Sequence, residues 1–233
     1  MSVNMSNKDI RTLGYILRRT NYGEADRILN IITPEGKKAV IAKGVRKARS
    51  KLAGGIEMFT LTDYNLHFGR GEMGTLTGAK MVQHYGEIMK DYDRMELAGM
   101  MLKRVSAAAD TNDNAEYFMI VDTVLKGLNQ GLSPELVEAW FWLNLKKAMG
   151  EEVNLYRDVE GKKLEAILRY EWNGAEEAFM VRENGTIGAD EIKMIRLMLT
   201  AKLGVVSKVR CNKEMIKRVL DLVCMMTKIV SAR

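Results

Sequence analysis

The sequence predicts an α+β chain, with a small five-stranded β-barrel over residues 1–85, then an all-helical domain over 86–233 that carries a β-hairpin insertion near 155–187. Three observations predict it. In the first 85 residues apolar side chains alternate with period two or form short runs bounded by turn residues. From about residue 86 they recur at i, i+3 and i+4, and near residue 173 that period lapses around an Asn-Gly dipeptide.

In "RTLGYILRR" (residues 11–19), Leu13, Tyr15 and Leu17 alternate with Thr12, Gly14 and Ile16, as in a half-buried strand. "DRILNIIT" (26–33) is a second strand closed by the turn signal "PEG", and "KKAVIAKG" (37–44) is a third. Phe59 and Leu61 share one parity while Tyr64, Leu66 and Phe68 share the other, so the fourth strand contains a phase slip. Such a slip is what a β-bulge produces, and bulges let a sheet curl. "GRG" (69–71) turns into "EMGTLTGAKMV" (72–82), a fifth strand with Gly74 and Gly78 at bends. Five short curved strands imply a closed barrel, for which the OB fold is the commonest solution.

The helical half follows. "RMELAGMMLKRVSAAA" aligns Ala98, Met101, Leu102, Val105 and Ala109 on one face, and the next helix aligns Tyr117, Phe118, Val121, Val124, Leu125 and Leu128 before stopping at Gly131. A third opens with Ser133 as N-cap and Pro134 at its first position, and closes at Gly150 behind Lys146 and Lys147. Two more are expected, about Asp190–Leu203 ending at Gly204, and Asn212–Val230 with Asn212 as N-cap. Between them and the third helix, Asn173-Gly174 reads as the turn of the hairpin.

Composition excludes several classes. The longest uncharged run, Gly127–Pro134, is eight residues, far below the roughly 20 that a membrane span needs, and the first residues lack the apolar stretch of a secretory signal. Cys211 and Cys224 are the only cysteines, so there is no disulfide framework, and a reduced cytoplasmic setting is expected. Net charge is +6, unevenly spread: +7 over residues 1–85, −7 over 86–199 and +6 over 200–233. A basic front and tail around an acidic middle point to nucleic acid or an acidic partner.

The charge concentrates in "KGVRKARSK", where Lys43, Arg46, Lys47, Arg49 and Lys51 fall within nine residues with no acid among them. Repulsion at that density raises the free energy of a compact state unless an anion relieves it. Loops flanking the binding face of an OB barrel are where oligonucleotides are held, so these five cations are candidate phosphate contacts, with Arg18, Arg19 and Arg70 at strand ends extending the groove. Tyr22, His67 and Phe68 are candidate base platforms, although aromatic residues at such positions also serve as edge packing. Gly54-Gly55 behind the loop is expected to give it freedom.

No catalytic constellation is found. Glu24 and Asp26 in "YGEAD" are read as orienting Arg27 and the turn, and His67 and His84 share no ligand spacing with a third residue. "GRGEMG" lacks the Gly-Lys-Ser/Thr ending and following helix of a phosphate loop. No cofactor or metal is expected.

The N-terminal residues resemble the RecO family of bacterial recombination mediators. The likeness rests on Tyr22-Gly23-Glu24-Ala25-Asp26, "AKGVRKARSKLAG", Phe59-Thr60-Leu61 and "GRGE-x-x-TLT", in one colinear order over about 65 residues. It implies an OB barrel followed by a helical domain and a non-enzymatic role in DNA damage repair and recombination. That role comprises binding single- and double-stranded DNA, annealing complementary strands, and working with a RecR-type partner so that the RecA recombinase replaces single-strand-binding protein. A nucleoid-associated location follows. The family's helical domain engages the acidic C-terminal tail of single-strand-binding protein, and the basic tail here (Lys202, Lys208, Arg210, Lys213, Lys217, Arg218) lies beside Met225-Met226, an adaptable pair that suits an acidic, apolar peptide. Lys202, Lys208, Arg210 and Lys217 are the candidate peptide site. Many RecO-like chains carry four zinc-binding cysteines after the third helix, whereas residues 151–200 here contain none, so this chain is a variant without that site. Two rival readings remain: an RNA-binding OB protein, and a scaffold whose basic loop meets an acidic protein.

Overall fold

In the computed structural model, which describes residues 8–50 and 52–228, the first strand serves both halves of a barrel. β1 (Lys8–Tyr22) pairs antiparallel with β4 (Thr60–Phe68) through its first seven residues and with β2 (Asp26–Thr33) through the rest. β2 pairs with β3 (Gly36–Ala42), and β4 with β5 (Gly74–His84). The ring closes where β3 runs parallel to β5 at Val40–Gly74 and Ile41–Thr75, giving the order β1-β2-β3-β5-β4 of an OB barrel.

A bulge decides which side chains face inward. The β1–β2 register shifts between Ile16 and Arg18, leaving Leu17 as the extra residue. Before it the even positions Ile10 and Ile16 join Leu29, Ile31, Val40, Tyr64 and Leu66 inside the barrel. After it the parity reverses, so that Arg19 pairs with inward Leu29, and Arg18 with outward Asn30. Leu13, expected on the buried side with Tyr15 and Leu17, shares the outward parity of Tyr15 and is 40% exposed, whereas Tyr15 is buried. The slip expected inside β4 is not found there: Thr60, Thr62, Tyr64 and Leu66 are buried in unbroken alternation, and the register shifts of the β4–β5 pair leave Thr77 and Val82 of β5 as the extra residues. Gly55 differs from expectation: it is buried in a 3-10 turn (Ala53–Gly55), and a Cβ there would lie 2.4 Å from that of Ala79. It serves close packing rather than freedom.

Helices α1 (Tyr92–Thr111) and α2 (Glu116–Asn129) pack on the barrel's outer face. Tyr15 and its cross-strand neighbour Ile32 point outward and are buried, and the Tyr15 hydroxyl donates to Asp122 Oδ1 of α2 at 2.6 Å. Lys37, opposite Ile32, reaches Ser106 O and Asp110 Oδ1 of α1 at 3.0 and 2.6 Å. The face of α1 is as expected except that Ala108, not Ala109, completes it. By compactness the chain divides after Gln130.

The second unit contains α3 (Pro134–Ala148), a hairpin of β6 (Tyr170–Asn173) and β7 (Ala178–Val181), α4 (Ala189–Thr200), α5 (Leu203–Val206) and α6 (Lys213–Thr227). Ser133 and Asn212 act as the expected N-caps, accepting from the amides of Leu136 and Met215. Trp140 Nε1 and Asn144 Nδ2 donate to Ala201 O and Met198 O, fixing α3 against the end of α4. Two boundaries differ from expectation. α4 stops at Thr200 because Ala201 is extended, so Gly204 lies inside the separate α5. Asn173 ends β6 rather than forming the turn: it pairs with Ala178, and its side chain accepts from Ala175 and Glu176 amides to shape a four-residue loop. The expected end of α6 at Val230 lies outside the described residues. Among the described residues no helix is long and apolar enough to cross a membrane. The chain is thus α+β, an OB-fold barrel followed by helices with a hairpin insertion.

Candidate nucleic-acid interface

The helices cover only part of the barrel's outside. Beyond the Tyr15–Ile32–Lys37 row, the register aligns Arg18, Asn30 and Ala39, and next to them Thr20, Ile28, Ile41 and Thr75, in two outward rows. These side chains are half-buried or exposed. The result is a shallow floor crossing four strands, polar at its margins, with the apolar pair Ile28–Ile41 at its centre. Ile28 and Ile41 escaped the sequence reading. Their signal was an apolar run in β2 longer than one face of a strand requires.

Tyr22, 56% exposed, continues the outward side of β1 and faces Asp26 across the β1–β2 turn. The basic loop begins after β3, and Lys43, Arg46, Lys47 and Arg49 are all exposed. Val45, 4% exposed, is the loop's apolar anchor in the barrel core. The loop is bound to the turn by backbone: the Gly44 amide donates to Asp26 Oδ1 at 2.7 Å, the Arg46 amide to Ala25 O at 2.9 Å, and Arg46 Nη1 to Gly23 O at 3.1 Å. Asp26 therefore holds the loop, whereas Arg27, which it was expected to orient, donates to Asn21 Oδ1 instead. No ion pair engages Lys43, Arg46, Lys47 or Arg49 among the described residues. Their repulsion has no internal remedy there, which is the condition for binding an external polyanion.

The remaining candidates are distributed differently. Arg18 is exposed on the outward rows. Arg19 turns the other way and donates to Ile56 O at 3.0 Å and Glu57 Oε2 at 3.1 Å, bracing the far end of the same loop. Arg70 is exposed on the β4–β5 hairpin, which precedes Gly74 and so leaves the barrel beside β3. Phe68 is half-buried against the barrel core and packs on Gly74, and His67 Nδ1 lies 2.7 Å from Asp9 Oδ1. Lys51 lies outside the described residues.

In the helical unit, Lys202, Lys208, Arg210 and Lys217 are all exposed. Lys217 lines a hollow of about 410 Å³ with Lys213, Ile216, Pro134 and Glu135, while Lys202 precedes α5, and Lys208 and Arg210 lie in the connection to α6. Arg218 is committed to Glu191 at 3.0 Å. Among the described residues no three His, Cys, Asp or Glu side chains converge as metal ligands.

Comparison with known proteins meets this geometry at the barrel. The family described as Recombination protein O N terminal matches residues 5–85. A DNA repair protein RecO from Roseiflexus sp. (strain RS-1) is 33% identical over 153 residues, covering 65% of this chain and 54% of its own length. Another, from Dehalococcoides mccartyi (strain CBDB1), is 32% identical over 168 residues, covering 70% and 65%. A third, from Listeria monocytogenes serotype 4b (strain CLIP80459), is 27% identical over 139 residues, covering 59% and 54%. The chain spans between about half and two thirds of the length of these relatives. The match to the family described as Recombination protein O N terminal spans the whole barrel and the basic loop it carries, and beyond the barrel the chain is similar to DNA repair proteins RecO over 59–70% of its length.

Proposed function

We propose that this protein binds DNA through the barrel, residues 1–85, and anneals complementary strands during recombinational DNA repair, without enzymatic chemistry. The observation that carries the reading is the cationic loop, free of ion pairs among the described residues and joined to the turn bearing Tyr22 at the edge of an uncovered OB face. Phosphates meet Lys43, Arg46, Lys47, Arg49 and Lys51, with Arg18 and Arg70 at the margins, while Arg19 acts by bracing the loop. Tyr22 offers a stacking surface, and Phe68 a second where its ring edge reaches the groove. Annealing needs no acid or base, because its barrier is the mutual repulsion of two phosphate backbones, which a surface holding both strands reduces.

The relatives' name, DNA repair protein, supports the biological setting. Within it the reading extends to a cytoplasmic, nucleoid-associated mediator that works with a RecR-type protein to replace single-strand-binding protein by RecA. The acidic tail of single-strand-binding protein would be received by Lys202, Lys208, Arg210 and Lys217, beside the hollow at Pro134 and Ile216.

The test is fluorescence anisotropy with single-stranded DNA and RNA of equal length at two salt concentrations, followed by an annealing assay. Five phosphate contacts predict a log–log salt slope of about −3.5 for single strands. Changing Arg46, Lys47, Arg49 and Lys51 together to Ala is expected to flatten that slope by about 2.8 and abolish annealing. A wild type that binds neither nucleic acid would favour a protein-binding loop and overturn the reading. A preference for RNA would relocate it to RNA metabolism.

A further inference from the structure

A carboxylate is built into the proposed site among its cations. Asp26 is a half-buried carboxylate on the outward side of β2, opposite Tyr22 and next to four exposed cations. It forms no ion pair with them among the described residues. Its hydrogen bond goes to the backbone amide of Gly44, at 2.7 Å. Gly44 has φ +64°, a left-handed turn conformation, and its carbonyl accepts the Lys47 amide at 3.1 Å, while the Lys47 carbonyl accepts that of Ser50 at 3.0 Å. Asp26 thus sets the first turn of a chain of turns whose exposed side chains are the cations.

We infer that Asp26 is a positioning residue that preforms the basic loop for a nucleic-acid backbone and couples it to Tyr22. The inference rests on the reading of the site given above. Without the Gly44 contact, the loop would have to be ordered as the ligand binds, and ordering entropy is charged against affinity. With it, the cations and the aromatic ring stand on one rigid corner, because Arg46 also grips Gly23 O and Ala25 O on the turn that Tyr22 begins.

The opposing electrostatic effect makes the inference sharply testable. If Asp26 acted only through its charge, removing it would strengthen phosphate binding, since a carboxylate repels phosphate. If it acts by positioning, removing the acceptor weakens binding although the site becomes more cationic. The measurement uses the full chain and a fluorescent oligothymidylate, with Asp26→Asn, Asp26→Ala and Asp26→Glu, folding being checked by urea midpoint. Asp26→Asn keeps an acceptor and loses the charge, so it is expected to bind at least as tightly as wild type. Asp26→Ala is expected to bind about fivefold to tenfold more weakly, with faster hydrogen exchange at the Gly44 amide. Asp26→Glu keeps the charge but displaces the acceptor, so it is expected to weaken binding too, and it carries the test should Asp26→Ala not fold. Binding by Asp26→Ala or Asp26→Glu as tight as wild type, or tighter, overturns this inference and leaves the site's reading standing. A wild type that binds no oligonucleotide overturns both.

Discussion

Arg18 and Arg19 are neighbours in the chain and were equivalent candidates as cations, yet they point to opposite sides of β1. Alternation alone separates them, but which one faces outward depends on Leu17 being an extra residue, and nothing in "GYILRR" marks that bulge. The basic loop was legible because charge density is a composition signal. Its anchorage was not, because Asp26 and Gly44 are 18 residues apart and meet only through the β2–β3 register. Tyr22 lies between these cases: its exposure was unreadable, but its position at a strand end was not. Replacing Tyr22 by Ala is expected to lower single-strand affinity by about 1–3 kcal/mol, the worth of one stacked base, and Tyr22→Phe to preserve it. Anisotropy at fixed salt decides this. An unchanged Ala variant with an unchanged salt slope would remove stacking from the site.

At the scale of elements, strands and helices with a regular apolar period were read almost to the residue, as β2 and α2 illustrate. Ends were read less well where a tertiary bond ends the element. α4 stops where the Ala201 carbonyl accepts from Trp140, a contact invisible to any local signal. Its start joins a local cap to a tertiary bond. Glu191 Oε2 accepts the Gly188 amide at 3.0 Å, and Oε1 accepts from Arg218 of α6 at 3.0 Å. Burial, the largest influence, pushes the Glu191 carboxyl up, but its own amide, Arg218 and the Gly188 amide together hold it below the usual carboxylate range. A depressed folded value stabilises above the unfolded value and loses that contribution as pH falls through the folded one. Glu191→Gln is therefore expected to cost about 1–2 kcal/mol at pH 7, with the gap to wild type closing as pH drops below about 4.5. Trp140, Trp142 and Trp172 all lie after residue 131, so tryptophan emission in urea reports this unit. A gap that persists at low pH would show the cost to be packing rather than charge.

For the whole molecule, the change from strand to helix period near residue 86 was plain, but the period does not tell which elements share a core. The barrel's outer row needs α1 and α2. Tyr15, Leu17 and Ile32 are each under 5% exposed, yet none belongs to the barrel's inner cluster. Tyr15 meets Phe118 with ring centres 5.5 Å apart and planes tilted by 40°, and its hydroxyl lies 3.1 Å from that of Tyr85 and donates to the Asp122 carboxylate, which accepts from Lys126 on its exposed side at 2.7 Å. Burial is the main influence that pushes the Tyr15 phenol far above its ordinary range, with Asp122 adding to it, so the ring is a neutral donor wherever the protein is folded. Burying each such side chain contributes about 1.5–3 kcal/mol, so exposing all three would cost roughly 5–9 kcal/mol, the size of a small domain's whole stability. A fragment ending at Gln130 is accordingly expected to unfold in one cooperative transition by circular dichroism. One ending at Tyr85 is expected to keep strand signal but lose the sharp transition. In the full chain, Tyr15→Phe should lower the protection of barrel amides by about 1–3 kcal/mol, since Asp122 then keeps only Lys126. A fragment ending at Tyr85 that melted as sharply as the longer one would make the strand-to-helix boundary a folding boundary too, and α1 and α2 dispensable to the barrel.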